Sequence, residues 1–171
     1  MLTRNWYKAI SNSLDNTTKA VFKNLNGANY TADRAHCYFA ANSNTVVTNV
    51  ALGSVRDDFK TYGGVIFGTG TTPPSIDDYT ISGDIITGLN SSAVFDTSFD
   101  DAGRTVTTTY TLTNTNDEAV TIGEIASVMG AGSSSSYAIL LERTVLESPI
   151  TIEPGGVGQV TYTIRMNYPT A

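Results

Sequence analysis

Few residues in this chain have the types and spacing that chemistry requires, and the first group lies in a glycine-rich loop. Gly68–Gly70 follows the short apolar run Val65–Phe67. A glycine-rich turn can bind phosphate on its backbone N–H groups when a helix begins directly behind it. Here Thr71–Pro74 follows instead, with no Lys-Ser/Thr pair and no third glycine at the required offset. The sequence therefore argues against a nucleotide loop and predicts a strand that ends in a rigid, exposed turn.

Acidic doublets are the next candidates, because carboxylate oxygens can bind Ca²⁺ or act in pairs on glycosidic bonds. Three occur along the chain, at Asp57-Asp58, Asp77-Asp78 and Asp100-Asp101. None lies in an Asp-x-Asp-x-Asp-Gly loop with a trailing Glu, and nothing selects two carboxylates for hydrolysis. Aspartates also stabilise turns by bonding their own backbone, and we expect that role here.

The remaining candidates are a histidine–cysteine pair and a set of aromatic residues. His36 and Cys37 are adjacent, so on a strand they would point to opposite faces and could not form a nucleophile–base pair. A single cysteine also excludes an intrachain disulfide. Aromatic side chains could form a sugar-stacking platform, although packing is their commoner role; they are Trp6, Tyr30, Tyr38, Tyr62 and Tyr79.

Composition and charge narrow the class of protein. The 171 residues are rich in Thr, Ser, Asn, Gly, Val and Tyr, which suits half-buried strands and the turns between them. Residues 1–60 contain seven Lys or Arg and four acidic residues, whereas residues 61–171 contain three Arg and twelve acidic residues. The acidic body disfavours nucleic acid and anionic membranes as partners. The basic third could dock on an acidic neighbour, its own body included, or be a solvated segment without an electrostatic role.

The first residues predict a short helix that needs a partner surface. A helix over residues 3–14, with Thr3 as its N-cap, would place on one face Trp6, Tyr7, Ile10 and Leu14. A helix this short is marginal alone, so we expect it to pack on its own domain or on a neighbouring subunit. The segment lacks the apolar run of a signal peptide, and no stretch reaches the roughly 18 apolar residues of a membrane helix. We therefore expect folding in a cytoplasm.

Alternating residues in the C-terminal half predict antiparallel strands. Over Arg104–Asn114, one face carries Val106, Thr108, Tyr110 and Leu112, and the other carries five threonines. Further strands are expected over residues 65–67, 81–86, 94–99, 120–128, 137–144 and 159–167. Weaker strand centres lie at residues 21–22, 38–39 and 46–47, and Asn26-Gly27 predicts a hairpin turn.

This spacing of strands and turns is typical of an all-β fold, an antiparallel β-sandwich of jelly-roll or immunoglobulin-like type with a short N-terminal helix or arm. We expect residues 63–171 to form the sandwich domain. Residues 1–62 are expected to form an arm and weakly patterned strands that pack on this core.

Two stretches resemble small structural proteins of tailed bacteriophages. GTGTTPPSIDDYTISGDI resembles a segment with a Gly-Thr-Gly-Thr-Thr-x-Pro element ahead of an Asp-Tyr or Asp-Thr. YAILLERTVLESPITIEPGGVGQVTYTIRMNYP resembles the ending of the same proteins, a Leu-x-x-Arg-Thr-Val/Phe strand, a Pro-Gly turn and a Thr-Tyr-Thr-Ile strand. The final part is also similar to generic immunoglobulin-like modules. The resemblance covers about residues 63–168 and implies a non-enzymatic virion component, without transferring any functional residue.

The resemblance leads us to expect a virion protein, either a capsid decoration or head auxiliary protein or a neck, tail or fibre-attachment component. It would bind other virion proteins (capsid, portal, neck or tail subunits) as a homo-oligomer, with no cofactor, metal, nucleic acid or membrane. The expected assembly contacts are Trp6, Tyr7 and Ile10 in the arm and Thr71, Thr72, Pro73, Pro74 and Ile76 in the loop. The alternative is a carbohydrate-binding or adhesin module, at a phage tail tip, with an aromatic platform or a Ca²⁺-lined cleft.

Overall fold

The computed structural model describes residues 1–8, 20–32, 64–100, 102–131 and 137–167. Residues 4–8 are helical. The strands within these ranges are β1 (Ala20–Lys23), β2 (Asn29–Ala32), β3 (Gly64–Gly68), β4 (Leu89–Asp100), β5 (Gly103–Asn114), β6 (Val120–Ala131), β7 (Tyr137–Ile152) and β8 (Val157–Asn167). Among these residues, no helix is long and apolar enough to cross a membrane.

The strands form a hairpin and two three-stranded antiparallel sheets, so the chain is mostly β, as the sequence predicts. The hairpin is β1–β2, and the sheets have the orders β3-β6-β7 and β4-β5-β8. This content is consistent with the expected all-β sandwich class. The chain divides into two compact units, one of Met1–Thr87 with Thr121–Ile150 and one of Gly88–Val120 with Thr151–Ala171. The predicted boundary at residue 62 lies outside the described residues and stays a prediction.

The sheet β3-β6-β7 is the apolar centre of the first unit. Every residue of β3 is buried, and so are residues 122–128 of β6 and 139–143 of β7, which means that these strand segments are covered on both faces. Ile139–Leu141, within the strand expected over residues 137–144, is fully buried. One packed cluster joins the sheet to the hairpin and to the chain after β3 through Leu25, Ile66, Ile81, Ala126, Val128 and Leu140.

The β1–β2 hairpin follows from its turn residues. The Oδ1 atom of Asn24 accepts hydrogen bonds from the N–H groups of Asn26 (3.1 Å) and Ala28 (2.9 Å). Gly27 has a φ of 80°, a left-handed conformation that glycine adopts without steric cost. The Asn26-Gly27 turn predicted from the sequence is confirmed.

The sheet β4-β5-β8 alternates as the sequence predicts. On β5 the side chains of Thr108, Tyr110 and Leu112 are buried, whereas the odd-numbered threonines between residues 105 and 113 are half-buried. Two of these threonines contact threonines of β8 through their hydroxyl oxygens, Thr107–Thr163 at 3.3 Å and Thr109–Thr161 at 3.4 Å. Such cross-strand pairs each stabilise the sheet by about 0.2–1 kcal/mol.

One predicted strand is wrong. Residues 81–86 do not form a strand; within them the structure has one isolated bridge, between Gly68 and Ile85, and the next strand begins at Leu89. This segment does not pair as a strand because the N–H groups of Ser82 and Gly83 bond a side chain rather than a neighbouring strand. The strand centres predicted at residues 38–39 and 46–47, the His36–Cys37 pair and Asp57-Asp58 lie outside the described residues.

A buried asparagine connects the two turns at one end of the second unit. The Nδ2 atom of Asn114 donates to the carbonyl oxygens of Glu118 (2.8 Å) and Ile152 (2.9 Å). Its Oδ1 atom accepts from the N–H group of Asn116 at 2.9 Å. The Asn114 backbone adds a bond from its N–H to the carbonyl of Gly156 at 3.0 Å. One side chain therefore satisfies backbone groups of two separate segments.

We expect Asn114→Ala to lower the free energy of unfolding by about 3 kcal/mol, because two carbonyl groups lose their donor at a buried position. Urea denaturation monitored by circular dichroism measures this change. Asn90→Ala is the matched control, since Asn90 is exposed on β4, and it should stay within about 0.5 kcal/mol of the unchanged protein. Equal effects of the two substitutions would contradict the role given to Asn114.

Candidate functional site

The two segments predicted as assembly contacts lie against each other. We call residues 1–8 the N-terminal arm and residues 69–86 the 69–86 loop. The N–H group of Arg4 donates to the carbonyl of Ile76 at 2.7 Å, and the Nε atom of Arg4 bonds the carboxylate of Asp77 at 2.7 Å. Because this ion pair is exposed on both sides, it contributes little stability. The backbone contact fixes the relative position of arm and loop.

The start of the N-terminal arm is paired with β7. Leu2 forms an antiparallel bridge with Glu142, and the N–H group of Thr3 donates to the carbonyl of Leu141 at 2.9 Å. The fully buried hydroxyl of Thr3 donates to the carbonyl of Leu140 at 2.8 Å. Thr3 does precede the helical residues, and its carbonyl accepts from the N–H group of Trp6. Its hydroxyl, however, binds the sheet rather than serving the predicted N-cap.

The helical part of the arm is bound to the β1–β2 hairpin. The side-chain amide of Asn5 donates to the carbonyl of Lys23 at 2.9 Å and accepts from its N–H group at 3.3 Å. The Nζ atom of Lys8 donates to the carbonyl of Val21 at 2.8 Å. Of the two partner surfaces expected for the arm, its own unit or a neighbour, these residues bind their own unit.

The predicted contact residues themselves are mostly exposed. Tyr7 is 55% exposed and Ile76 is 38% exposed, while Trp6 and Pro74 are half-buried and Ile10 lies outside the described residues. Three more predicted contact residues of the loop are exposed, Thr71, Thr72 and Pro73. Their role as assembly contacts stays a prediction, because exposure shows only that these side chains are accessible.

A buried carboxylate holds the 69–86 loop in place. Glu124 of β6 is 0% exposed, and its Oε1 atom accepts hydrogen bonds from three backbone N–H groups. These belong to Gly70 at 3.1 Å, Ser82 at 3.0 Å and Gly83 at 2.8 Å. The loop thus folds around one oxygen of a side chain from the sheet, with donors from both of its ends.

A buried arginine completes this arrangement. Arg143 of β7 is 2% exposed, and its Nε atom bonds Glu124 Oε2 at 2.5 Å. Its two terminal nitrogens bond the carboxylate of Asp78 at 2.5 Å and the carbonyl of Thr72. Asp78 in turn accepts from the N–H group of Ser75 at 2.8 Å. The Asp77-Asp78 doublet was expected to stabilise a turn. Asp78 does so through Ser75, and it also pairs with the buried guanidinium of Arg143.

The close approach of the loop to Glu124 explains why a glycine stands at position 70. A Cβ atom built on Gly70 would lie 2.1 Å from Glu124 Oε1 and 2.0 Å from the hydroxyl of Ser82. Any side chain there would displace the carboxylate or the loop. Gly70 therefore allows the loop backbone to bind the Glu124 carboxylate. This role agrees with the argument against a nucleotide loop.

The charges of this network stabilise one another. Burial alone would raise the pKa of the Glu124 carboxyl, but hydrogen bonds from Arg143, Gly83 and Ser82 lower it below its ordinary value. Burial likewise disfavours the charged form of Arg143, and the bonds to Glu124 and Asp78 raise its pKa above the ordinary value. Both groups are ionised at neutral pH, so the pair is a buried salt bridge that is further hydrogen-bonded to the 69–86 loop.

Glu124 and Arg143 were not identified from the sequence as candidate site residues, although the sequence around Glu124 indicates a buried charge. Glu124 alternates with Ile122, Ala126 and Val128 in a strand that is otherwise apolar on that face. A charged residue at such a position is rarely buried without a partner. Arg143 follows the apolar run Ile139–Leu141, and pairing the two would have required the tertiary fold.

A small polar cavity lies beside the arm and the loop. It has a volume of about 280 Å³, and its lining residues are Arg4, Asn5, Lys8, Lys23, Asn29, Asp77, Asp78 and Tyr79. The Nζ atom of Lys23 lies 4.6 Å from the centre of the Tyr79 ring, a cation–π distance. Of the five aromatics considered for a sugar platform, Tyr79 lines this cavity, while Tyr38 and Tyr62 lie outside the described residues. In the described part of the chain, no three His, Cys, Asp or Glu residues come together as metal ligands.

Comparison of the chain with protein-family models, with curated proteins and with solved structures finds no match. The resemblance to structural proteins of tailed bacteriophages therefore stays a prediction from the sequence.

We expect Glu124→Gln to lower the free energy of unfolding by about 3–5 kcal/mol, because it leaves Arg143 buried without its nearest counter-charge. Chemical denaturation at pH 7 measures the change. Glu147→Gln, at an exposed position of β7, is the control and should alter stability by about 0.5 kcal/mol or less. An unfolding curve for Glu124→Gln that overlays the unchanged protein would show that the salt bridge does not hold the loop.

Acidification should also remove the contribution of the ionised Glu124 carboxylate to the stability of the folded protein. The pKa of Glu124 is lower in the folded protein than in the unfolded chain, so its stabilising effect is complete above the unfolded value of about 4.3. The effect is lost as the pH falls through the folded value. Denaturation midpoints between pH 7 and pH 3 should fall less for Glu124→Gln than for the unchanged protein. Parallel pH profiles would count against this titration.

Proposed function

We propose that the chain is a non-enzymatic structural subunit of a tailed-bacteriophage virion that acts through protein–protein contacts in a symmetric assembly. The sequence resemblance supplies the phage context and includes both head components (decoration or auxiliary proteins) and neck or tail components. The observation that carries the assembly function is the strand β4, an edge strand with little cover on either face. Virion localisation belongs to the same proposal.

The exposure of β4 is unusual for a strand of its length. Its residues from Leu89 to Asp100 pair one to one with β5 without a bulge, and none of those described is buried. Val94 is 71% exposed and Phe95 is 51% exposed, and they point to opposite faces. A long, regular and partly apolar edge is a template for pairing with another chain. A structural subunit uses such an edge in assembly.

The N-terminal arm and the 69–86 loop supply a second surface suited to contacts. Arg143 and Glu124 hold the loop, and the backbone bond from Arg4 to Ile76 joins arm to loop. The accessible side chains of Tyr7 and Ile76 are therefore presented on a fixed backbone. Pre-ordered side chains lose less conformational entropy when a partner binds, which favours repeated contacts between subunits.

A carbohydrate-binding module is the second candidate, favoured by the cavity beside Tyr79. A half-buried tyrosine next to amide and charged side chains is the chemistry that stacks on and hydrogen-bonds to a sugar. A glycan array, probed with and without calcium, tests this candidate. Binding that is lost in Tyr79→Ala would support it, and an array without hits in either condition would remove it.

The structural function predicts that the chain is a stoichiometric part of the particle. Gradient-purified particles of a phage that encodes it should contain the chain at a fixed ratio to the capsid protein, measured by quantitative mass spectrometry. Val94→Lys should reduce incorporation, because it places a charge on the exposed edge. Ser148→Lys, at an exposed position of β7, is the control. A chain that stays in the soluble fraction and is missing from the particles would overturn the proposal.

A further inference from the structure

The outer edge of β4 presents backbone groups in a defined pattern. The N–H group of Thr115 donates to the carbonyl of Gly88 at 2.9 Å, which continues the β4–β5 ladder by one step. Because antiparallel strands alternate the direction of their backbone groups, the even-numbered residues of β4 direct N–H and C=O toward β5. The odd-numbered residues, among them Ala93, Phe95 and Thr97, direct theirs outward. Among the described strands, β5 alone pairs with β4.

The side chains of β4 do not protect this edge in the usual ways. Edge strands are commonly blocked by lysine, by proline, by a bulge or by covering chain. Residues 89–100 contain no lysine and no proline, and the register with β5 is continuous. The charged residues of the strand are Asp96 and Asp100, and Asp100 is engaged by Arg165 at 2.9 Å. Asp96 is therefore the charge that a pairing chain must accommodate.

We propose that a second copy of this chain pairs antiparallel with the outer edge of β4, on a two-fold axis that runs midway between the two copies of Val94. This inference rests on the proposed structural function and names its partner. Two copies would join their β4-β5-β8 sheets into one continuous six-stranded sheet, the self-complementary interface that two-fold symmetry requires.

Symmetry restricts the register. An axis that relates two antiparallel strands in one sheet is perpendicular to the sheet, so paired residues come from the same face and their numbers add to an even sum. An axis through Asp96 would place the two Asp96 carboxylates opposite each other, which is destabilising. An axis midway between the two copies of Phe95 would place the charged Asp96 opposite the apolar Val94, which is a poor match. Of these three axes, the one between the two copies of Val94 remains, and Val94 is the most exposed of the apolar side chains described on the strand.

The sequence around Val94 is nearly palindromic in chemical character. With the axis at this residue, Val94 meets its own copy and Phe95 lies opposite the small side chain of Ala93. Three further pairs join hydroxyl or amide groups to polar partners, Ser92 with Asp96, Ser91 with Thr97 and Asn90 with Ser98. Each Asp96 then has a hydroxyl donor opposite, and the two Asp96 residues lie roughly 13 Å apart along the strands. This self-match favours a second copy over an unrelated strand.

Disulfide trapping tests the register. In a Cys37→Ser background, Val94→Cys would place two thiols at a pair without backbone bonds across the axis, with Cα atoms about 4.5 Å apart, within disulfide range. Ser98→Cys lies on the same face of the same strand, but its copies would be roughly 26 Å apart. Mild oxidation should therefore give a covalent dimer for Val94→Cys at concentrations where Ser98→Cys stays monomeric on a non-reducing gel.

A second variant tests the backbone pairing without a thiol. Ala93→Pro removes an outward N–H group and leaves the bonds to β5 in place, so sedimentation velocity should show weaker dimerisation with unchanged circular dichroism. The unchanged protein should dimerise with rising concentration. A strictly monomeric protein, equal crosslinking at residues 94 and 98, or a dimer indifferent to Ala93→Pro would each overturn the inference. Particles that contain the chain while it gives no Val94→Cys dimer would refute the second copy and leave the structural function standing.

Discussion

The buried salt bridge between Glu124 and Arg143 is the interaction on which the first unit depends. Neither charge could lie among these apolar strands without the other, because the cost of removing an ion from water is several kcal/mol. Once paired, both side chains make further hydrogen bonds to the backbone of the 69–86 loop, and Arg143 also bonds the Asp78 carboxylate. The salt bridge is thus less a source of net stability than a device that specifies one conformation for a segment without strand or helix.

The regular parts of the fold could be predicted from the sequence because their signals are local. The alternation of β5, the Asn26-Gly27 turn and the apolar strand before the glycine-rich loop each depend on neighbouring residues. The 69–86 loop was harder, since the partner of its backbone is a carboxylate more than forty positions away in the chain. Residues 81–86 were expected to form a strand, yet the N–H groups of Ser82 and Gly83 donate to Glu124. A local pattern cannot report a distant acceptor.

The candidate contact surfaces were likewise predictable only where the signal is local in the sequence. Sequence selected the arm and the loop as exposed contact segments, and their adjacency through Arg4 and Ile76 emerged from tertiary structure. The edge character of β4 could not be read from its residues, because strand order is set by pairing and not by composition. Only its place at the edge of the sheet makes Val94 and Phe95 candidates for the proposed assembly contacts.

The position of the N-terminal arm on β7 has a consequence for the order of folding. Met1 and Thr3 find their backbone partners at Arg143 and Leu141, and the 69–86 loop needs both Glu124 and Arg143. During synthesis the early segments must therefore wait until β7 has left the ribosome before they reach their native contacts. Such long loop closures slow folding. They also couple the two ends of the first unit, because the N-terminal arm and β7 reach these contacts together.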